Sequence, residues 1–528
     1  MILHMYKLIK RAYTVLKFDE DEIETDEDLE ALCDAANKFI SKPKKAPAST
    51  LAGVHLLRAK CRSCINDTAG AMLDCDAALE LLGNELSGSA MLDIYTAMLY
   101  EVHMPPMYCA ELFEKAEERL TAELEASDKS TRIKNKLNHG IAEACNNRGL
   151  CLFHCNRPAE EEVECYERAI SAMYETTLCG ENDMTLLGSM MTNCAETYER
   201  CGEIEKSVEI YKDAIDLYDA LFEFDDSVIA DYIGCYLGLS GVYRKQGELV
   251  LANYWISQAI SVLDQYSETT HHKDTVLLPQ ALNTRGTIKF AMGDYAGEIA
   301  DCDQALSLLK ADKTSNPAFV FLVYSNRAEA YEHLEKYDEA AADYEAAIKT
   351  LSSIKNETPK VHSQIASHTL CCGRCYAKAG KNEKAISMLT TAAGLFGDLR
   401  DVCSGDSATH IEENEALCHF LISQALLNDE HHDLHRVLSE QLKAISIAEA
   451  ISEPNFFTYM FLMALHNALG EIYESFDEQD SAAEAYKKAQ EYLTLAGGVA
   501  SDISADDKED IYNEDKVWDN PPEDIPQA

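Results

Sequence analysis

The stretch that decides the fold is VYSNRAEAYEHLEKYDEAAADYEAAIKT, residues 323–350. Its second half places apolar residues at i, i+4, i+7 and i+8, one face of an α-helix; these are Ala340, Tyr344, Ala347 and Ile348. An earlier apolar face, carried by Ala328 and Tyr331, precedes it across a short polar turn. Helices that present alanines to each other can approach closely, while tyrosines fill the space beside them. The stretch therefore predicts two helices packed as a hairpin.

The order of these residues resembles a tetratricopeptide (TPR) repeat. That family places a small residue and then an aromatic on a first helix, followed by a turn and a small–aromatic–small series on a second helix. The resemblance implies an all-α fold in which stacked helix pairs form a right-handed superhelical α-solenoid.

The alanine of the second helix recurs along the chain, at Ala78, Ala169, Ala214, Ala259, Ala305, Ala347, Ala392 and Ala489. Successive separations from Ala169 to Ala392 are 45, 45, 46, 42 and 45 residues. Two remaining gaps, of 91 and 97 residues, are about twice this period, so we expect a degenerate repeat in each, at Ala116 and Ala444. The spacing predicts about ten helix pairs between residues 50 and 497. A period this long is similar to that of kinesin-light-chain and bacterial regulatory TPR arrays.

Glycines recur where the first helices should end, at Gly202, Gly247, Gly293 and Gly380. A chain that leaves a helix benefits from a residue that tolerates positive φ, so each glycine predicts a turn. The first helices also repeat a small residue followed by an aromatic, at Ala195/Tyr198, Gly373/Tyr376 and Gly470/Tyr473.

The flanking segments differ in composition from the repeats. Residues 1–49 are predicted to form a helical and acidic arm with a linker, in which Asp26, Glu27 and Asp28 begin a helix. Residues 50–497 are the predicted TPR solenoid. Residues 498–528 are rich in acids and poor in apolar residues, so we expect a disordered acidic tail. Trp518 within this tail is a candidate docking motif.

The chain has 46 basic and 92 acidic residues and a formal net charge of −46. Such a surface repels phosphate backbones, so we expect no direct nucleic-acid partner, and it attracts basic protein segments. Alternatively, the charge serves only to keep a long repeat protein soluble. The sequence shows no secretory signal and no apolar run long enough to span a membrane. With nineteen cysteines, this composition predicts a cytoplasmic protein with free thiols and no membrane partner.

Catalytic signatures such as GxSxG, HExxH and the phosphate-binding loop are missing, so the sequence predicts no enzyme and no cofactor. Two CxxC spacings, Cys61/Cys64 and Cys372/Cys375, fall inside predicted first helices, where cysteine is suited to tight packing. His431 and His435 have the i, i+4 spacing of a metal pair, but two nitrogens alone make a weak site. We expect core cysteines, an exposed polar helix start and no metal site.

Amide and guanidinium side chains recur on the predicted first helices, which in TPR proteins line the inner wall of the superhelix. By that resemblance they are candidates for binding a peptide: Asn147, Arg148, Asn193, Asn283, Arg285, Asn326, Arg327, Arg374 and Asn467. Asparagine can both donate to and accept from a peptide backbone, and arginine can bind a carboxylate in bidentate fashion. Alternatively, each arginine pairs with an acid of a neighbouring repeat and each asparagine ties adjacent helices together.

The sequence as a whole predicts a non-enzymatic scaffold or adaptor that binds a peptide or protein segment, basic in character, on its concave surface. Two alternatives stay open at this point. One is an acidic regulator or inhibitor that mimics nucleic acid, and the other is a constitutive subunit of a larger complex.

Overall fold

The computed structural model describes residues 3–16, 25–43, 46–83, 86–126, 130–176, 181–222, 226–270, 274–311, 315–354, 358–400, 406–428, 433–452 and 454–501. Within these ranges the chain forms 22 α-helices and no strand. The predicted all-α class is therefore confirmed. The helices are α1 (Leu3–Leu16), α2 (Asp26–Ser41), α3 (Ala48–Cys64), α4 (Thr68–Leu82), α5 (Gly88–Tyr100), α6 (Pro106–Glu125), α7 (Thr131–His154), α8 (Ala159–Tyr174), α9 (Glu181–Arg200), α10 (Ile204–Phe222), α11 (Ile229–Lys245), α12 (Leu249–Thr270), α13 (Leu277–Ala291), α14 (Tyr295–Ala311), α15 (Pro317–His333), α16 (Tyr337–Leu351), α17 (Pro359–Lys378), α18 (Asn382–Arg400), α19 (Asp406–Leu427), α20 (Leu434–Glu449), α21 (Phe456–Ser475) and α22 (Gln479–Ser501).

The chain divides into two compact units, residues 1–259 (unit 1) and residues 260–528 (unit 2). In unit 1, α3 to α10 form four helix hairpins, and α11 is followed by the start of α12. In unit 2, α13 to α22 form five further hairpins. Within each unit a second helix also packs on the first helix of the next hairpin, as α8 does on α9 and α16 on α17. This stacking of helix pairs within each unit confirms the predicted α-solenoid.

The alanines that defined the repeat all lie on the second helix of a hairpin, and all ten are at most 2% exposed. They include Ala116 in α6 and Ala444 in α20, so the two degenerate repeats are confirmed. Alanine is the residue that lets two helices approach without a cavity or a clash. The position is therefore small in every repeat because a first helix packs directly over it.

The turns inside the hairpins use left-handed backbone, as predicted. The four turn glycines have φ between 72° and 78°. Four other hairpins place a non-glycine residue at the corresponding position, two residues past the end of the first helix, with φ of 50° to 61°: Asn66, Asn156, Glu335 and Asp477. Asparagine and aspartate tolerate this conformation better than other non-glycine residues. The turn is thus a property of the fold, and glycine is one of several ways to form it.

Large side chains on second helices fill the space over small residues on first helices. Gly470 in α21 is an example, because a Cβ atom there would lie 2.5 Å from the ring of Tyr486 in α22. The small residue of the first helix is therefore required by the tyrosine that packs over it.

At the N-terminal end, α1 packs on α3 and buries Leu8, Ile9, Ala12 and Tyr13. Thr25 caps α2 with a capping box to Asp28, which confirms the predicted acidic helix start. Residues 19–24 of the acidic arm lie outside the described residues. At the other end, α22 continues to Ser501. The rest of the predicted tail, residues 502–528 with Trp518, also lies outside the described residues.

Candidate functional site

The first helices lie next to one another within each unit. In unit 1, α5 contacts α7 and α9 contacts α11, and in unit 2 α13 contacts α15 and α17 contacts α19. This arrangement gives each unit a wall of first helices. The nine predicted site residues all lie on such helices, three in unit 1 and six in unit 2.

Side-chain hydrogen bonds tie the first helices of each wall together. In unit 1, Asn147 donates to Thr96 of α5 at 3.4 Å, and Asn193 donates to Asn146 of α7 at 3.1 Å. In unit 2, Asn326 donates to Asn283 of α13 at 2.9 Å. An amide has two N–H donors and a carbonyl acceptor, so one such bond leaves further capacity on each side chain. These asparagines therefore link repeats and can still contact a peptide backbone.

All four predicted arginines are engaged by carboxylates of the chain itself. Arg285 binds both oxygens of Asp301, at 2.9 and 2.6 Å, and Arg327 binds both oxygens of Asp343, at 2.7 and 2.6 Å. Arg327 also contacts Asp303 of the preceding hairpin. The two remaining pairs join neighbouring hairpins, Arg148 with Glu114 at 2.7 Å and Arg374 with Glu332 at 3.3 Å. A peptide carboxylate would therefore compete with these acids for each guanidinium group.

The aspartates that pair with the arginines recur at one position of the repeat, and this spacing was not used to predict the site. Asp301 and Asp343 each lie 16 residues after their arginine and four residues before the buried alanine of the second helix. The same spacing joins Arg58 to Asp74, which also accepts a bond from His55 at 2.8 Å. Because the three aspartates are buried, their charges require these cations. An arginine and an aspartate 16 residues apart thus mark one structural position of the repeat.

The wall of unit 1 also carries carboxylates that were not predicted as site residues. Glu143 in α7 is 9% exposed, and burial together with the charge of Asp93 in α5 raises its pKa to about 7. His139 lies 3.7 Å from Glu143 and 3.4 Å from Asp183 of α9. Three successive first helices therefore bring their acids close together.

Two more acids with raised pKa values lie on the first helices α9 and α11. The carboxylates of Glu196 in α9 and Asp231 in α11 reach solvent, yet the surrounding helices remove part of their hydration. Loss of hydration raises the pKa of both groups, and the charge of Glu199 raises that of Glu196 further. We call Asp93, Glu143, Glu196 and Asp231 the acidic wall of unit 1.

Most of the cysteines singled out in the sequence are buried in the core, whereas the described histidine of the predicted metal pair is exposed. Cys61, Cys372 and Cys375 are buried, Cys64 is exposed, and the seventeen cysteines in the described ranges are all free thiols. Burial raises the pKa of Cys372 to about 12. His435 is exposed at the start of α20, whereas His431 and His432 lie outside the described residues. The described ranges contain no cluster of three or more histidine, cysteine, aspartate or glutamate side chains placed to hold a metal ion.

Comparison with known proteins agrees with the repeat. Residues 322–350 match the tetratricopeptide repeat family model, over the stretch that the sequence analysis started from. Among solved structures, the chain is similar to RapI in its apo form, with 11% identity, a TM-score of 0.43, and coverage of 78% of this chain and 99% of that one.

Two further structures are similar over part or most of the chain. The apo form of the quorum sensor NprR from B. thuringiensis shares 11% identity at a TM-score of 0.35, covering 89% of this chain and 100% of that one. TPR-like repeats of a Podosopora anserina kinesin light chain share 15% identity at a TM-score of 0.32, covering 44% of this chain and 100% of that one. The family-model match confirms the resemblance to a tetratricopeptide repeat over residues 322–350, and the fold assignment rests on the helices of the chain itself.

Among curated proteins, no sequence matches this chain. None of the helices in the described ranges has the length and apolar character needed to cross a membrane.

Proposed function

We propose that the chain is a non-enzymatic, cytoplasmic protein-interaction scaffold that binds a basic segment of a partner protein along the first helices of unit 1. The observation that carries this proposal is the acidic wall, which sets carboxylates on four successive first helices, α5, α7, α9 and α11. The seventeen free thiols in the described ranges agree with a cytoplasmic location.

The electrostatics of the acidic wall favour a cationic ligand. The pKa values of Glu143, Glu196 and Asp231 are raised, which means that the surroundings of each side chain destabilise its ionised carboxylate. A lysine or arginine side chain placed among these carboxylates would stabilise their charged forms and be bound in return. The amides of Asn147 and Asn193 lie on two of the same helices, where they can bind the backbone of an extended segment.

The ion pairs of the predicted arginines also favour a cationic ligand. All four predicted arginines already pair with acids of the chain, so a peptide carboxylate would compete with those acids for them. This competition favours a ligand that brings cations rather than carboxylates. In unit 2 the amides of Asn283, Asn326 and Asn467 provide a second set of candidates for backbone contacts.

A matched pair of variants tests the proposal. The wall variant combines Glu143→Gln, Glu196→Gln and Asp231→Asn. The control variant changes three exposed acids on second helices of the same unit, Glu164→Gln, Glu209→Gln and Asp216→Asn, and so has the same net charge.

The probe is a fluorescein-labelled peptide of alternating lysine and glycine, and its Kd is measured by anisotropy at about 0.1 M salt. Exposed ion pairs contribute about 0.2–1 kcal/mol each, so three lost pairs predict binding about 10-fold weaker for the wall variant. The control variant should change Kd less than about 2-fold. Equal losses in both variants would show that net charge, not the wall, attracts the peptide.

A further inference from the structure

Helices α2 and α3 pack against each other at the N-terminal end of unit 1, and each brings a cysteine to their contact. The thiol of Cys61 in α3 donates a hydrogen bond to the sulfur of Cys33 in α2. One turn further along α2, Asn37 accepts a hydrogen bond from Arg58 of α3. Because Cys33 precedes Asn37 by one turn and Cys61 follows Arg58 by nearly one turn, both contacts fit one antiparallel register of the two helices.

The two thiols differ in their surroundings. Cys61 is 2% exposed, whereas Cys33 is only partly buried and reaches solvent. The hydrogen bond from Cys61, and then the positive charges of Arg62 and Arg58, lower the pKa of the Cys33 thiol, although burial and the charge of Asp74 oppose them. The same hydrogen bond, together with burial, raises the pKa of Cys61. Cys33 is therefore the thiol that ionises first, with Cys61 in contact as a second thiol.

Cys64 is the competing partner for Cys61, since the two belong to the CxxC spacing on α3. Cys64 is exposed at the end of α3, whereas Cys61 faces the contact with α2. The fold thus brings Cys61 to Cys33, which is distant in sequence, and leaves its near neighbour facing solvent. A thiol that ionises readily, reaches solvent and touches a second thiol has the features typical of redox-sensing cysteines.

We propose that Cys33 and Cys61 form a reversible redox pair, with a peroxide as the oxidant and a disulfide between α2 and α3 as the product. This inference involves none of the residues of the acidic wall, so it is independent of the proposed function.

The oxidation takes place in two steps. The Cys33 thiolate attacks one oxygen of the peroxide, the O–O bond breaks and hydroxide leaves, which gives a sulfenic acid at Cys33. This step removes the negative charge beside Cys61 that opposes its ionisation. The sulfur of Cys61 then attacks the sulfur of Cys33, the S–O bond breaks, and the hydroxide that leaves takes up the Cys61 proton. In sum, two thiols and hydrogen peroxide give one disulfide and two molecules of water, and an added dithiol reverses the change.

The disulfide can be sought directly in the full-length chain. The reduced protein is exposed to hydrogen peroxide, the remaining thiols are alkylated, and the chain is digested with trypsin. Cleavage after Arg62 places Cys61 and Cys64 on different peptides, so mass spectrometry assigns the linkage. In the folded chain the Cys33–Cys61 disulfide should be about 10-fold more abundant than the Cys61–Cys64 disulfide, and dithiothreitol should remove it. In urea the order should reverse, because a short loop closes more readily than a long one.

Two variants follow the sulfenic acid itself, which dimedone traps. Cys61→Ser removes the second thiol, so the dimedone adduct at Cys33 should be about 10-fold more abundant than in the natural chain. Cys64→Ser is the matched control, and it should leave both the Cys33–Cys61 linkage and the adduct unchanged. A purely structural contact between the two thiols would produce neither the linkage nor this difference.

A Cys61–Cys64 disulfide as the main product in the folded chain would overturn the pairing. Oxidation of the exposed Cys64 that leaves Cys33 and Cys61 as thiols would overturn the redox role. Both results are read on the natural chain, so the test does not depend on the stability of the variants.

Discussion

Glu298 in α14 offers a direct test of whether the folded repeat keeps a buried carboxyl group in its neutral form. Its side chain is 2% exposed, and no group in the described ranges bonds to its Oε2 atom. Burial, together with the nearby carboxylates of Glu329 and Asp301, raises its pKa from 4.5 to about 9. Arg285 and Lys289 are close by, but both are bound to Asp301. The folded protein therefore holds Glu298 protonated at neutral pH.

The sign of the pH dependence follows from this shift. Below a pH of 4.5, the ordinary pKa of the group, both the folded and the unfolded states carry the proton, and stability is not affected. As the pH rises towards 9, the unfolded state releases the proton and the folded state does not, so the free energy of unfolding falls by about 1.4 kcal/mol per pH unit. Between about pH 5 and about pH 7.5 the loss is about 3 kcal/mol. Glu298→Gln removes this loss.

Hydrogen exchange of the backbone amides of α13 to α15, read by mass spectrometry, gives the local free energy of opening. The advantage of Glu298→Gln over the natural chain should grow by about 3 kcal/mol across that pH interval. Glu471→Gln, at an exposed position of α21, should show no such growth. An advantage that does not change with pH would mean that Glu298 is ionised or hydrated in the folded state, and would refute the reasoning.

Three other substitutions or modifications follow from the structure. Glu335→Gly places glycine at a φ of 57° and should stabilise the α15–α16 hairpin by about 0.5–1 kcal/mol in thermal unfolding; a lower melting temperature would contradict this. Asp301→Asn leaves two partly buried cations without their counterion and should cost about 3–5 kcal/mol in denaturant unfolding, whereas Asp303→Asn, at a 55% exposed carboxylate, should cost less than about 1 kcal/mol. Equal costs would show that the buried network is not stabilising. In the native protein, iodoacetamide should modify the exposed Cys64 before the buried Cys372, as followed by peptide mass spectrometry; the reverse order would contradict the assigned burial.

The fold could be predicted from the sequence because the repeat leaves a local signature in every copy. An alanine under a crossing helix and a turn with positive φ are both requirements of a single hairpin, and most copies recur about every 45 residues. Even the degenerate repeats kept the buried alanine, at Ala116 and Ala444. Non-glycine turns such as Glu335 could not be predicted, because the surrounding hairpin imposes the left-handed conformation on a residue that does not prefer it.

The candidate site was only partly accessible to sequence reasoning. The positions of the asparagines and arginines on first helices were predictable from the repeat, but their partners were not. Arg374 meets an acid 42 residues away, and Asn193 an amide 47 residues away, so these contacts depend on how hairpins stack. The acidic wall is a product of the same stacking, since burial among the helices and then the charge of Asp93 on another helix raise the pKa of Glu143.

We propose above that a basic segment of a partner lies along the first helices of unit 1. The most direct measurement is photo-cross-linking with the alternating lysine–glycine peptide carrying a benzoylphenylalanine at its centre, followed by mass spectrometry of the adducts. The account predicts adducts on α5, α7, α9 and α11, lost in the wall variant and retained in the control variant. Adducts spread over the second helices, or retained in the wall variant, would contradict it.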